Sequence, residues 1–205
     1  YRAECWHSPA DISLNADSAT LAGRIMSQFD LKGPHYSIDA ACASSLAAIH
    51  TACIGLDQGN FSAALVAGVA RLTPEFLVIN SKAGTLSATG SFPFDERADG
   101  FVVGEGGVMM ALMPLHVAQR QHFRVWGVIR GIGYSTNGRT RTAWAPSSSA
   151  QAVCIRRAFE QVDFAMREVD YVEAHGTSTA LGDAVELETL EETYGSEPRS
   201  EALPF

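Results

Sequence analysis

An uninterrupted apolar run at residues 63–69 (Ala-Ala-Leu-Val-Ala-Gly-Val) constrains the fold of this chain more than any other feature. It does not alternate polar with apolar, as a half-solvated strand does; it has the pattern of a strand covered on both faces. A second such run occupies 107–113 (Gly-Val-Met-Met-Ala-Leu-Met). Between and around these runs, apolar residues recur at helical spacing. Leu46, Ile49, Cys53 and Leu56 predict a helix from about Cys42 to Leu56, with Gly59 just past its end. Leu115 to Gln121 predicts a short helix, and Ile155, Ala158, Phe159 and Val162 fall on one face of another. Residues 35–39, 125–132 and 169–174 read as further strands, and Asn137-Gly138 marks a turn. Alternating strand and helix patterns give an α/β architecture. No repeat, low-complexity tract or linker interrupts them.

Composition narrows the function. Apolar residues make up 46% of the chain and charged residues 19%, enough for a buried core and the opposite of the balance that keeps a chain disordered. The net charge of −8 argues against a nucleic-acid partner, which needs a dense basic patch. Small clusters at Arg139/Arg141 and Arg156/Arg157 read first as solvated surface and second as a docking spot for an acidic carrier protein. No apolar run approaches the roughly 20 residues that span a bilayer. Cys5, Cys42, Cys53 and Cys154 lack the spacing of a disulfide framework or a zinc site. The expected setting is therefore a reducing cytoplasm, with no metal, and each thiol needs its own explanation.

Cys42 has the most distinctive setting. It lies in Asp39-Ala40-Ala41-Cys42-Ala43-Ser44-Ser45-Leu46, between a predicted strand and the start of a helix, with small residues on both sides. A sharp turn there lifts the side chain and leaves room for substrate. The positive end of the helix dipole favours thiolate, and backbone N–H groups of the turn could form an oxyanion hole. A small buried cysteine is the simpler alternative, and the local sequence leaves it open. Cys53 and Cys154 sit on apolar helical faces and read as core.

Glu173-Ala174-His175-Gly176-Thr177-Ser178-Thr179 repeats the pattern of a strand running into a turn of small residues. His175 at the strand's end can offer a ring nitrogen to a thioester carbonyl or a thiol. Thr177 and Thr179 can hydrogen-bond a polar substrate arm. A structural histidine in a tight loop is the competing reading. His7, His35, His50, His116 and His122 have no comparable setting. Gly104-Glu105-Gly106-Gly107 lacks the Lys-Ser/Thr of a phosphate loop and precedes a strand-like run, so it reads as a turn permitting close backbone approach.

In order along the chain, these pieces resemble the β-ketoacyl synthase family. Residues 39–46 resemble its active-site cysteine motif. Pro93-Phe94-Asp95, Ala98-Asp99-Gly100-Phe101 and Gly104-Glu105-Gly106 resemble its central block. Val172 to Thr177, followed by Leu181-Gly182-Asp183, resembles its first histidine motif. The resemblance implies a thiolase-like fold, layered α/β/α/β/α, in polyketide or fatty acid biosynthesis. It implies that Cys42 accepts an acyl chain from an acyl carrier protein. A malonyl-type extender then loses carbon dioxide and attacks the Cys42 thioester, with His175 assisting. By the same resemblance Thr177 and Thr179 contact the phosphopantetheine arm. That arm belongs to the carrier, so no cofactor is bound directly, and the complete domain is expected to be a homodimer.

Departures from the pattern shape the expectation further. Alanines replace the usual Thr and Ser beside the cysteine, at Ala40 or Ala41 and at Ala43, and Ser178 stands where the family usually has glycine. The family's Lys-x-x-x-Gly-His segment, with its second catalytic histidine, has no counterpart in this sequence; nor do its N-terminal strands. Residues 1–205 are thus expected to be the central part of a ketosynthase domain, incomplete here, and unable to condense substrates alone. Rival readings are a non-elongating or chain-length-factor-like partner, a thiolase-type acyltransferase and a cysteine hydrolase.

Overall fold

The computed structural model describes residues 19–140, 142, 144–195 and 203–204. Cys5, His7, Arg141 and Phe205 lie outside the described residues. The chain divides into two compact units, each built from separated segments. One holds residues up to Gly68 together with Val108–Arg124; the other holds Val69–Gly107 and Val125 onward.

In the first unit, α1 (Ala19–Gln28) is followed by a 3₁₀ turn at Ala41–Ala43 and then by α2 (Ser44–Asp57). Strand β1 (Ala64–Ala70) pairs with β2 (Gly106–Leu112), which leads into α4 (Leu115–Arg120). The residues predicted to face the core from α2 are not its best-buried ones: Leu46 is exposed, whereas Ala47, Ala52 and Gly55 are buried. Small residues face inward because the backbone runs close to its neighbours. A Cβ on Gly68 of β1 would come within 2.9 Å of the Ser45 Cβ. Residues 35–39 form no strand, and the His35 ring lies 3.5 Å from where a Cβ on Gly23 would stand.

The apolar runs do form strands, but not strands covered on both faces. Residues 106–111 of β2 are all exposed, Val108 by 66%, and Leu65 and Val69 of β1 are exposed as well. Among the described residues the sheet has two strands, so the area that the sequence pattern reserves for burial is left open.

The second unit contains α3 (Pro74–Lys82), α5 (Ser148–Phe159), a 3₁₀ turn at Met166–Glu168 and α6 (Ala180–Thr193). Thr73 caps α3 by accepting the Phe76 N–H at 3.2 Å, with Pro74 at the first helical position. Ser147 caps α5 by accepting the Ala150 N–H. Helices α5 and α6 pack on each other around fully buried Ala152 and Thr189. The Thr189 hydroxyl lies 2.8 Å from Gln151 Oε1 and 2.9 Å from the Val185 carbonyl. Arg156 pairs with Glu192 across the two helices, and Arg157 donates to the Tyr134 carbonyl. Both cations of that predicted surface cluster are therefore engaged within the chain.

Residues 125–132 and 169–174, predicted as strands, form no strand in the structure. A few of their backbone groups have other partners. The Gln161 side-chain amide accepts the Ile132 N–H at 3.3 Å and donates to the Ile132 carbonyl at 2.9 Å, standing in for a neighbouring strand. The Val172 N–H donates to the Pro204 carbonyl. A Cβ on Gly133 would collide with the Cys154 carbonyl, so this segment lies directly against the backbone of α5.

Candidate active site

The turn that carries Cys42 is fixed by its own side chains. Asp39 Oδ1 accepts the Ala41 N–H at 3.0 Å, and Ser44 Oγ accepts the Ala40 N–H at 2.9 Å while donating to the Ala41 carbonyl at 2.7 Å. Ala41 is held at φ 51°, the left-handed region that costs an alanine roughly 1–2 kcal/mol. This backbone reversal places Cys42 at the entry to α2, and its side chain is exposed. The strain thus lies at Ala41, the residue immediately before this exposed thiol.

The other thiols differ. Cys53, on α2, is half-buried; burial and the neighbouring Asp57 carboxylate both push its thiol pKa up, which keeps it protonated and inert. Cys154 is partly buried on α5. The core reading therefore holds for these two only in part, because neither is fully enclosed.

In the second unit, His175, Thr177 and Thr179 share one turn at the entry to α6. Its backbone is held by a carboxylate: Glu186 Oε1 accepts the His175 N–H at 2.6 Å and Oε2 accepts the Gly176 N–H at 2.8 Å. Charge-assisted bonds of this kind are about twice as strong as neutral ones. The His175 side chain is exposed. Thr179 is the N-cap residue of α6, yet its hydroxyl does not cap the helix. It lies 2.9 Å from the Thr177 hydroxyl. The pair uses one proton between them and leaves the other hydroxyl proton for a ligand.

Segment 92–101 packs against the same turn. Ser178 is fully buried at φ 61°. Its Oγ accepts the Phe92 N–H at 2.8 Å and its carbonyl accepts the Gly100 N–H at 2.8 Å. Asp183 Oδ2 accepts the Phe94 N–H at 2.7 Å; Oδ1 is buried with no hydrogen-bond partner among the described residues. The Phe94 ring lies against Gly176, 3.4 Å from where a Cβ would stand. Gly100 also needs its missing side chain, since a Cβ there would sit 2.6–2.8 Å from the backbone of residues 85–87. Nearby, Arg97 makes a two-pronged pair with Asp95 and stacks its guanidinium 4.3 Å from the Phe92 ring centroid. That pairing holds the Asp95 carboxyl down at about 2.

The glycine block 104–107 works differently from expectation. A Cβ on Gly104 or Gly106 would meet nothing within 4 Å, so neither marks a close approach. The contact comes from Glu105, whose Oε1 accepts the Leu72 N–H at 2.7 Å.

Sequence reasoning missed Glu186 as a site residue. Its signal was available: Asp183 and Glu186 are three apart in the first turns of a helix that opens directly from the His175 turn. Among the described residues, no group of three or more His, Cys, Asp or Glu side chains is arranged to hold a metal ion, and no helix is long and apolar enough to cross a membrane.

Comparison with known proteins gives a consistent result. Residues 6–118 match the β-ketoacyl synthase N-terminal domain, and residues 126–204 match the β-ketoacyl synthase C-terminal domain. The chain is 40% identical over 189 residues to polyketide synthase ThaG of Burkholderia thailandensis, covering 91% of this chain and 3% of ThaG. It is 42% identical over 182 residues to the spectinabilin polyketide synthase system protein NorC of Streptomyces orinoci, covering 88% of this chain and 8% of NorC. Among solved structures, the ketosynthase from module 6 of the bacillaene synthase of Bacillus subtilis superposes with a TM-score of 0.88 at 36% identity. That match covers 96% of this chain and 36% of the ketosynthase. The fold is accordingly of the thiolase-like ketosynthase type.

Proposed function

This chain belongs to the β-ketoacyl synthase family, and from that membership we propose that it is the central part of a ketosynthase domain that extends a polyketide chain. The observation that carries the reading is the Cys42 turn, with its strained Ala41 and its exposed thiol at the head of α2.

In this reading the Cys42 thiolate attacks the carbonyl carbon of an acyl-phosphopantetheine thioester on an acyl carrier protein. The tetrahedral adduct collapses, the pantetheine thiolate leaves with a proton, and the acyl group remains on Cys42. A malonyl-type extender on a carrier then loses carbon dioxide. The electron pair of the broken C–C bond forms the enolate, which attacks the Cys42 thioester and expels its thiolate. His175 donates a hydrogen bond to the extender's thioester carbonyl as negative charge develops there. The free proton of the Thr177–Thr179 pair holds the polar pantetheine arm in line. The substrates arrive bound to the carrier, so the domain's own residues need only bind, orient and stabilise charge. The same reading makes the complete domain a cytoplasmic homodimer and puts its second catalytic histidine on a segment other than residues 1–205.

The test is loading of the full-length protein with an acetyl-pantetheine thioester, followed by mass spectrometry of the Cys42 peptide. A stable acetyl adduct that disappears in Cys42→Ser supports the synthase. Rapid release of acetate to water, without a lasting adduct, would replace the synthase reading with a hydrolase. His175→Ala should keep the adduct and lose condensation with malonyl-pantetheine; equal loss of both would remove His175 from the extender half-reaction.

A further inference from the structure

We propose that Ser178 is a positioning residue, whose buried hydroxyl fixes residues 92–94 against the turn that presents Thr177, Thr179 and His175. Its conformation is the first sign. A serine at φ 61° is strained where glycine would be relaxed, and such strain persists only when the surroundings over-determine it. The surroundings here are two hydrogen bonds that one fully buried residue accepts from a segment about eighty positions earlier. Oγ accepts from Phe92 and the carbonyl accepts from Gly100, both at 2.8 Å.

A glycine at 178 would keep the carbonyl bond to Gly100 and lose only the side-chain bond. The hydroxyl therefore has one separable task, which is to hold the Phe92 amide. Two residues on, the Phe94 amide is held by Asp183 at 2.7 Å, and Phe94 itself adopts φ 61° with its ring against Gly176. Ser178 and Asp183 thus grip adjacent points of one strained loop. Ser178 lies between the two threonines and Asp183 one turn beyond them, and Gly182 leaves room for both threonine hydroxyls, the Thr177 oxygen lying 3.1 Å from its would-be Cβ. Releasing Phe92 lets the loop and the Phe94 ring shift away from Gly176. The threonine pair then loses one wall of its fixed geometry. This inference rests on the reading that the two threonines hold the pantetheine arm.

The experiment uses the full-length protein with malonyl-pantetheine thioester as the varied substrate. Ser178→Gly relieves the backbone strain, so it should fold with an unchanged or higher Tm. The expected result is a KM raised about fivefold, the effect of one lost hydrogen bond, with kcat within about twofold of wild type. Hydrogen exchange at the Phe92 amide should accelerate in the same variant. Ser178→Cys, which keeps a weaker acceptor of similar size, should recover part of the KM. An unchanged KM in Ser178→Gly, even with faster exchange at Phe92, overturns the proposal and leaves Ser178 a structural residue. Thr177→Val separates the two levels. If it raises KM while Ser178→Gly does not, the positioning role alone fails. If it leaves KM unchanged, the threonine reading fails and the positioning role falls with it.

Discussion

At the scale of single residues, strain and charge pairing mark the places where this chain departs from relaxed backbone. Ala41 and Ser178 both stand at left-handed φ, one before the exposed thiol and one inside the histidine turn. Ala41→Gly should stabilise the protein by about 1 kcal/mol in urea unfolding, because glycine adopts this φ without the Cβ penalty. Rate of Cys42 acylation is the second readout there, since a more flexible turn should slow loading even as stability rises. The Asp95–Arg97 pair makes a separate prediction. Its folded-state carboxyl sits at about 2, below the ordinary carboxylate value of about 3.9, so the favourable interaction is complete above pH 4 and disappears as pH falls toward 2. Arg97→Ala should return the Asp95 titration to the ordinary range, read by NMR of its carboxyl carbon. Both groups are solvated, and global stability should barely move.

Among elements, α2, α4 and α5 were legible in sequence, α1, α3 and α6 were not predicted, and burial was not legible at all. The α2 pattern gave a helix at the right place, but its apolar stripe predicted Leu46 inside, whereas Ala47, Ala52 and Gly55 are buried. Periodicity weighs side-chain hydrophobicity; here backbone proximity decides, and it favours small residues. Segments 125–132 and 169–174 fall short of strands for a related reason. Their residues have strand propensity, but a strand is defined by a partner, and Gln161 and Pro204 supply the bonds instead. The cysteine and histidine turns were legible because Cys42 and His175 stand among Gly, Ala, Ser and Thr, a local signal that needs no tertiary information. Glu186 was not singled out, since its function depends on which amides its carboxylate meets. Packing sets the expected cost of change at this scale. Gly133→Ala should destabilise the α5 region by about 3 kcal/mol in denaturant unfolding, because its Cβ meets the Cys154 carbonyl rather than a movable side chain. Thr189→Val should cost about 1–3 kcal/mol by the same measure, leaving Gln151 without its buried partner between α5 and α6.

On the scale of the whole molecule, the conspicuous quantity is apolar surface left open. Val108, Met109 and Met110 on β2 are exposed, as are Phe76, Val78 and Ile79 on α3 and Leu46 and Ile54 on α2. Patches of this kind drive association, so residues 1–205 expressed by themselves should bind a hydrophobic dye and self-associate at micromolar concentration, as read by light scattering. A monodisperse, dye-silent chain would show that these faces are covered in solution. The chain spans about a third of the solved ketosynthase it matches, and the family assignment rests on the portion that carries both turns. Gln161 shows how one side chain can limit a different hazard. Residues 125–132 (Val-Trp-Gly-Val-Ile-Arg-Gly-Ile) are rich in β-branched and aromatic side chains, and the Gln161 amide occupies both backbone groups of Ile132 that a pairing strand would need. Gln161→Ala should therefore free that edge for pairing, read as faster association of the chain by light scattering than wild type at equal concentration.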